Sequence, residues 1–200
     1  MDNNKDKILD KLRNTSIYEE FIKLNDIYND LEKKQEIFCN TFDVHCQKGC
    51  GTCCEHFIPD IYQVEARYLA LGLILEGKAE EARERIEKWK KDSGYCPLYD
   101  FDSDYHCTVY KYRPLICRLF GATASKDKEG RSCFRKCKYN MIGKDLSYEE
   151  LDRQKEAVIH MSDYAMMMEE YSLGEKEKLL LPEALLKEID KILYILDLLD

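Results

Sequence analysis

The stretch CQKGCGTCC, residues 46–54, places four cysteines within nine positions of a 200-residue chain. Thiolates two or three residues apart can converge on one cation, because a tight turn directs successive sulfurs to the same side. The glycines at 49 and 51 leave backbone N–H groups free to face the sulfurs and to spread their negative charge. Cys50 and Cys53 have the two-residue gap that metal-binding knuckles use. The stretch therefore predicts an irregular, cysteine-rich metal-binding centre.

Cys53 and Cys54 are adjacent, and neighbouring side chains diverge in a helix as well as in a strand. Equal ligation of one tetrahedral zinc by both cysteines is therefore not expected. The sequence leaves three alternatives open: two bound metals, a cluster of several irons, or one cysteine outside the ligand set. Zinc and iron–sulfur clusters both accept four cysteines, so the cofactor also stays open between these two.

The bulk properties of the chain favour metal over disulfides as the fate of its thiols. The first residues are charged without the apolar run of a secretory signal peptide, and no stretch approaches about 18 uninterrupted apolar residues. We therefore expect a cytoplasmic protein with no membrane contact, in which thiols stay free unless a metal takes them. The net charge of −8 disfavours nucleic acid as a partner.

Outside the cysteine-rich stretch the apolar spacing is helical, so the predicted fold class is mainly α. Residues 1–42 lack Gly and Pro and carry apolar residues three to five apart, which predicts one or two amphipathic helices. Pro59 can open a helix that runs to about Glu76, and a charged helix follows at 79–89. Helical periodicity is lost over 95–137, which is expected to wrap the metal in short pieces of structure.

The C-terminal part begins with a capping box between Ser147 and Glu150, which predicts a helix running to about Tyr171. Pro182 opens a last amphipathic helix. The expected organisation is one compact domain made of three segments: an N-terminal helical segment (1–42), a cysteine-cluster metal-binding segment (43–140) and a C-terminal helical segment (141–200).

Ten cysteines occur in all, and the distribution of the others extends the candidate site. Cys39 is set aside, because it falls on a predicted helix where a free cysteine acts as a small apolar residue. The nine that remain are enough for two sites. Cys133 and Cys137 have a three-residue gap that is compatible with zinc. With so many thiols available, the histidines beside them are interpreted as polar neighbours rather than ligands: His45, His56 and His106.

Three pieces of the sequence together resemble a known family: CQKGCGTCC (46–54), CPL (96–98) and CTVYKYRPLICR (107–118). The chain resembles the CxxCxxCC, or YkgJ-type, cysteine-cluster family, to which zinc or iron chelation is ascribed. The most specific part is CxxYxxRPxxCR, because it fixes six positions at once. One detail departs from the pattern: three residues separate Cys46 from Cys50, where the family name implies two.

The resemblance implies which cysteines are associated with metal, and Cys133 and Cys137 lie beyond the shared core. The candidate metal ligands are Cys46, Cys50, Cys53, Cys54, Cys96, Cys107, Cys117, Cys133 and Cys137.

The residues of 107–118 agree with this interpretation on physical grounds. Arg113 precedes a proline and is biased toward extended backbone, and Pro114 can open a short helix. Cys117 would then lie near the first turn, where the helix dipole favours a thiolate. Arg113 and Arg118 either offset the charge of a thiolate-rich site or are solvated at the surface, and the sequence leaves both alternatives open.

Three classes of function fit these features. The first is a metal-binding protein whose zinc or iron–sulfur centre is structural, redox-active or sensing. The second is a metal-cluster-dependent enzyme, since a flagellin lysine methylase resembles this family in carrying a similar cysteine cluster. No G-x-G-x-x-G loop and no Ser–His–Asp arrangement can be argued from the sequence, so catalysis is left open. The third is a module whose acidic helices dock a protein partner, with the metal as a staple.

Overall fold

The computed structural model describes residues 2–44, 50–89, 94–103, 105–137, 144–172 and 177–199. It is mainly α, as the sequence predicts. The helices in these ranges are α1 (Asp2–Leu12), α2 (Ser16–Phe42), α3 (Gln63–Leu75), α4 (Ala79–Lys88), α5 (Leu115–Leu119), α6 (Tyr148–Asp152), α7 (Met161–Tyr171) and α8 (Leu181–Leu198). The strands are two residues long: β1 (Asp60–Ile61), β2 (Ser125–Lys126), β3 (Ser132–Cys133) and β4 (Leu179–Leu180).

The predicted helices of residues 1–42 are confirmed as α1 and α2, which are divided at Thr15. The Thr15 hydroxyl accepts a hydrogen bond from the Tyr18 N–H at 3.4 Å and donates to the Leu12 carbonyl at 2.7 Å. This cap satisfies groups that a continuous helix would have paired along its own backbone. Along α2 the buried side chains recur every three or four positions: Ile17, Phe21, Leu24, Tyr28, Leu31, Gln35, Phe38 and Phe42.

The helices α2, α3 and α8 form what we call the helical frame. From Val64 to Leu75 every residue of α3 is buried, and the helix packs most extensively against α8. Arg67 of α3 and Glu188 of α8 are buried between the two helices. The Nε of Arg67 donates to the Glu188 carboxylate at 2.9 Å, and the same guanidinium pairs with Glu20. Because each buried charge has a partner, their burial is tolerated within an apolar core.

The predicted helix start at Pro59 is wrong by four residues. Residues 60 and 61 are extended and pair antiparallel with β4, and the Leu181 N–H donates to the Pro59 carbonyl at 2.9 Å. The helix begins only after Tyr62, whose N–H donates to the Glu65 carboxylate at 3.1 Å. The predicted end near Glu76 and the predicted role of Pro182 in the first turn of α8 are confirmed.

The single helix predicted from Ser147 to about Tyr171 is wrong in its middle. The capping box is present, with the Ser147 N–H donating to Glu150 at 2.9 Å, but α6 ends at Asp152. Residues 159–161 pair with the backbone of Ala124 instead of continuing the helix. The Ala124 N–H donates to the Ile159 carbonyl at 2.8 Å, and the Met161 N–H donates to the Ala124 carbonyl at 2.9 Å. The helix resumes as α7 only beyond this pairing.

One cluster of buried apolar side chains draws on all three predicted segments, with Leu24, Leu69 and Leu185 among its members. The division into segments at 42 and 140 stays a prediction. Among the described residues, no helix is both long and apolar enough to cross a membrane.

Candidate metal centre

The described part of the first cysteine stretch runs from Cys50 to Glu55, and we call it the knuckle. It contains a 3-10 turn over Thr52–Glu55. Gly51 initiates the turn with φ +57°, and a Cβ at this position would lie 2.4 Å from the Cβ of His106. A side chain at residue 51 is therefore excluded by backbone conformation and by space alike. The turn is closed by the Cys54 N–H, which donates to the Gly51 carbonyl at 2.8 Å.

Cys96 and Cys107 reach the knuckle through backbone hydrogen bonds. The Cys96 N–H donates to the Cys54 carbonyl at 2.8 Å. Tyr99 forms an isolated antiparallel bridge with Cys107, and the N–H of residue 108 donates to the Leu98 carbonyl at 3.1 Å. The segment 96–99 thus lies between the knuckle and the segment that carries Cys107.

Cys117 lies on α5, whose first turn is held by the helical frame. The Leu115 N–H donates to the buried Glu65 carboxylate at 2.8 Å, and the Tyr28 hydroxyl donates to the same oxygen at 3.2 Å. Burial raises the pKa of Glu65, and the hydrogen bonds it accepts oppose that rise. The predicted short helix after Pro114 is confirmed.

A second contact between α3 and the cysteine-rich region occurs at Gly72. A Cβ on this residue would lie 2.2 Å from the ring of Tyr112, so only glycine allows the ring to lie against the helix. Tyr112 ends a 3-10 turn over Tyr110–Tyr112, directly before the Arg113-Pro114 pair. The frame therefore fixes the segment between Cys107 and Cys117 at two points, Glu65 and Gly72.

Five cysteines come close enough for their charges to interact, and we call them the thiol cluster: Cys53, Cys54, Cys96, Cys107 and Cys117. Burial raises the pKa of Cys96 to about 12 and raises the pKa of Cys107 and of Cys117, and the charges of other cluster thiols add to each rise. These thiols are desolvated and crowded, so their deprotonation calls for a cation.

Within the cluster the adjacent pair behaves unequally. A hydrogen bond from Cys54 lowers the pKa of Cys53, and the same bond, together with burial, raises the pKa of Cys54. Cys53 is thus the member of the pair that favours the thiolate. Whether both cysteines bind metal stays a prediction.

The other candidate ligands lie outside the thiol cluster or outside the described residues. Cys46 and His45 lie outside the described residues. Cys50 lies at the margin of the cluster, with its sulfur 3.2 Å from the Thr52 hydroxyl. Cys133 lies on β3, in a hairpin with β2 that packs on α6 and α7, and Cys137 follows it.

Cysteine sulfurs from several segments lie in this region. Among the described residues, no three His, Cys, Asp or Glu side chains are arranged so that they could hold a metal ion. The Nδ1 of His106 lies 3.0 Å from the Asp100 carbonyl oxygen, and its ring stacks on Tyr99. Its role as a polar neighbour stays a prediction.

For Arg118, surface solvation is the wrong alternative. Its side chain is 3% exposed, and its Nε donates to the Arg113 carbonyl at 2.8 Å while a terminal nitrogen donates to the Lys111 carbonyl. The guanidinium also pairs with Glu32 and lies 4.2 Å above the ring of Tyr28. Arg118 therefore clamps the backbone of 111–113 to α2.

Sequence reasoning missed both Glu65 and Arg118 as supports of the site. The available signal was weak: Glu65 and Arg67 are the only charged residues in the apolar helix QVEARYLALGLIL. A carboxylate in such a run is not fully buried unless it is paired or hydrogen-bonded, so its position could have marked a contact.

The fold and the site define a mainly helical protein in which five cysteines from three segments lie close together. Residues 45–140 match the model of the CxxCxxCC family, whose description reads "Putative zinc- or iron-chelating domain". The resemblance seen in the sequence is confirmed by this match over residues 45–140, and the match supports metal binding in general. No curated protein and no solved structure matches the chain.

Proposed function

We propose that this chain binds zinc or an iron–sulfur cluster through the thiol cluster, with Cys46 and Cys50 as further ligands, and that the metal is structural, redox-active or sensing. The observation that carries the proposal is the convergence of thiols from the knuckle, from the segment 96–107 and from α5. Apolar packing alone gives no reason to bring five cysteines together from three separate segments of the chain.

The chemistry of the donor set fits these two cofactors. Sulfur ligands suit zinc and iron–sulfur clusters, whereas magnesium and calcium take oxygen ligands. The thiol cluster has more sulfurs than one tetrahedral zinc can use. Two metals, a cluster of several irons, or a cysteine outside the ligand set account for the surplus. Cys133 and Cys137 stay candidates for a second site, and a protein partner for the acidic helices stays a prediction.

Metal content tests the proposal directly. The protein is purified without oxygen, and its metal is analysed together with its absorbance spectrum. We expect at least about one metal equivalent per chain, because binding at a thiolate site is coupled to folding. An iron–sulfur cluster absorbs visible light, whereas a zinc site is colourless. Folded protein that carries neither metal at neutral pH would refute the proposal.

Serine variants test which sulfurs hold the metal. Replacing Cys50, Cys53, Cys107 or Cys117 by serine is expected to release metal and to lower the melting temperature. Each lost ligand should remove several of the roughly 10–16 kcal/mol available at a structural zinc site.

Cys39→Ser is the matched control, because Cys39 lies on α2 and packs on the apolar core. We expect this variant to keep its metal. The ligand assignment is wrong if Cys39→Ser loses metal while Cys107→Ser and Cys117→Ser retain it.

A further inference from the structure

Of the two arginines in the CxxYxxRPxxCR motif, Arg113 has a buried Nε that lacks an acceptor within the described part of the chain. It lies in extended backbone between the turn at 110–112 and α5, with φ −56° and ψ 144°. Its Nε is buried and finds no hydrogen-bond partner among the described residues. A buried N–H that belongs to a charged group costs free energy when it lacks an acceptor, so a missing acceptor is indicated.

The position of the guanidinium is nevertheless well defined. Its central carbon lies 3.7 Å from the centroid of the Tyr110 ring, which is the geometry of a cation–π contact. The carbonyl of Arg113 accepts the hydrogen bond from Arg118, so the backbone is also fixed. Because the Tyr110 ring and the fixed backbone both restrict this guanidinium, its Nε–H is pre-organised to donate to an acceptor.

The charge of this guanidinium reaches the thiol cluster. Arg113 interacts electrostatically with Cys53 of the knuckle, with Cys107 and with Cys117. It also lies between Cys107 and Cys117 in the chain, directly before Pro114 and α5. One cation therefore acts on thiols from all three segments that build the cluster.

We propose that Arg113 is a positioning residue that offsets the negative charge of the metal–thiolate centre, with its Nε–H donating to a metal-bound sulfur and Tyr110 holding the guanidinium in place. This inference rests on the proposed function. A divalent metal bound by several thiolates keeps a net negative charge, and N–H groups that face the sulfurs stabilise it.

The contrast with Arg118 makes the assignment specific. Both arginines belong to the same motif, yet the donors of Arg118 are taken by two carbonyls and by Glu32, and its face lies on Tyr28. Arg118 supports the backbone, whereas the Nε–H of Arg113 is free for the centre.

The test replaces the native metal with Co²⁺, whose thiolate-to-metal absorption band reports on the sulfurs. Release of Co²⁺ to a competing chelator is measured for the full chain and for Arg113→Gln, Arg113→Lys and Arg13→Gln. Arg13 is a matched control, because it is exposed, pairs with Asp10 and lies far along the chain from every cysteine. We expect Arg113→Gln to release Co²⁺ at least about tenfold faster than the unaltered chain and to shift the band, because a hydrogen bond to sulfur is lost. Arg13→Gln should change neither.

The outcomes separate this inference from the proposed function. If the unaltered chain shows no thiolate band with Co²⁺, the proposed function fails. If it does, and Arg113→Gln matches it in release rate and band, only the inference is overturned. Should Arg113→Gln not fold, Arg113→Lys decides: it is expected to release metal faster and with a shifted band, because an ammonium lacks the planar fork. A folded Arg113→Lys chain that equals the unaltered one in both measurements overturns the role given to the guanidinium.

Discussion

The helical frame and the thiol cluster are stabilised by different forces. In the frame, apolar side chains such as Leu69 and Leu185 are fully buried along regular helices. Around the thiols, short segments are joined instead by single backbone hydrogen bonds, such as the one from Cys96 to Cys54, and by close approaches at Gly51 and Gly72. The frame thus gains stability from area removed from water, whereas the cluster depends on a few contacts and on the metal we propose.

The frame brings cysteines from separate segments together, but within the described ranges it does not arrange three of them around a metal ion. Glu65 and Gly72 fix one cysteine segment from α3, and Arg118 fixes it from α2. Changes in the frame should therefore cost stability without altering the metal site of molecules that remain folded. Changes at the contacts between the two regions should affect both.

The largest effect is expected from Glu188→Ala, which removes a buried partner of a buried cation. Arg67 would lose its ion pair with a carboxylate that is only 1% exposed, so we expect the free energy of unfolding to fall by about 3 kcal/mol. Urea denaturation measures this, and the metal content of the folded protein should not change. Asp190→Ala on the same helix is the control, since its pair with Arg83 is exposed and should contribute less than about 1 kcal/mol. Equal effects for the two variants would contradict the importance of the buried pair.

An intermediate effect on stability is expected from Glu65→Ala. The substitution leaves the N–H groups of Tyr62 and Leu115 and the Tyr28 hydroxyl without their acceptor, which should cost about 2 kcal/mol. Because α5 loses its anchor, metal release to a chelator should also become faster, unlike in the frame variant.

Glu84→Gln is the control for this position, since Glu84 lies on α4 and forms an exposed pair with Lys88. A Glu65→Ala chain that loses stability but releases metal at the unaltered rate would show that the two regions are not coupled here.

The smallest effect is expected from Gly72→Ala, where the added methyl group meets the ring of Tyr112. Overpacking of this kind should cost about 1 kcal/mol. In the double variant Gly72→Ala/Tyr112→Leu the clash is relieved, so the two costs should not add. Thermal melts of the single and double variants measure the coupling. Additive costs would mean that the ring does not lie against α3 in solution.

The sequence predicts helices well where apolar spacing alone decides them. The first two helices, α4, α5 and the start at Pro182 are all confirmed. The errors lie where a distant strand competes with the helix. Pro59–Ile61 pairs with residues near 180, and the segment after Asp152 pairs with Ala124, and neither partner is visible in a local pattern.

For the site, spacing predicts a turn at the knuckle, and the turn at 52–55 is observed. The approach of Cys96 to Cys54 depends on one long-range hydrogen bond, which no sequence spacing encodes. The two arginines of the motif are alike in sequence, and only the contacts of Arg118 with Glu32 and Tyr28 separate them. The ligand set itself stays a prediction.

The pairing of β1 with β4 has a consequence for how this chain is made. It joins Ile61 to Leu179, so the loop that must close spans more than a hundred residues. Closing a loop of this length is slow, because its entropy is lost before distant contacts repay it. During synthesis, α3 cannot complete its packing until α8 is made, and α8 follows every cysteine in the chain. All ten cysteines are therefore synthesised before the frame is complete.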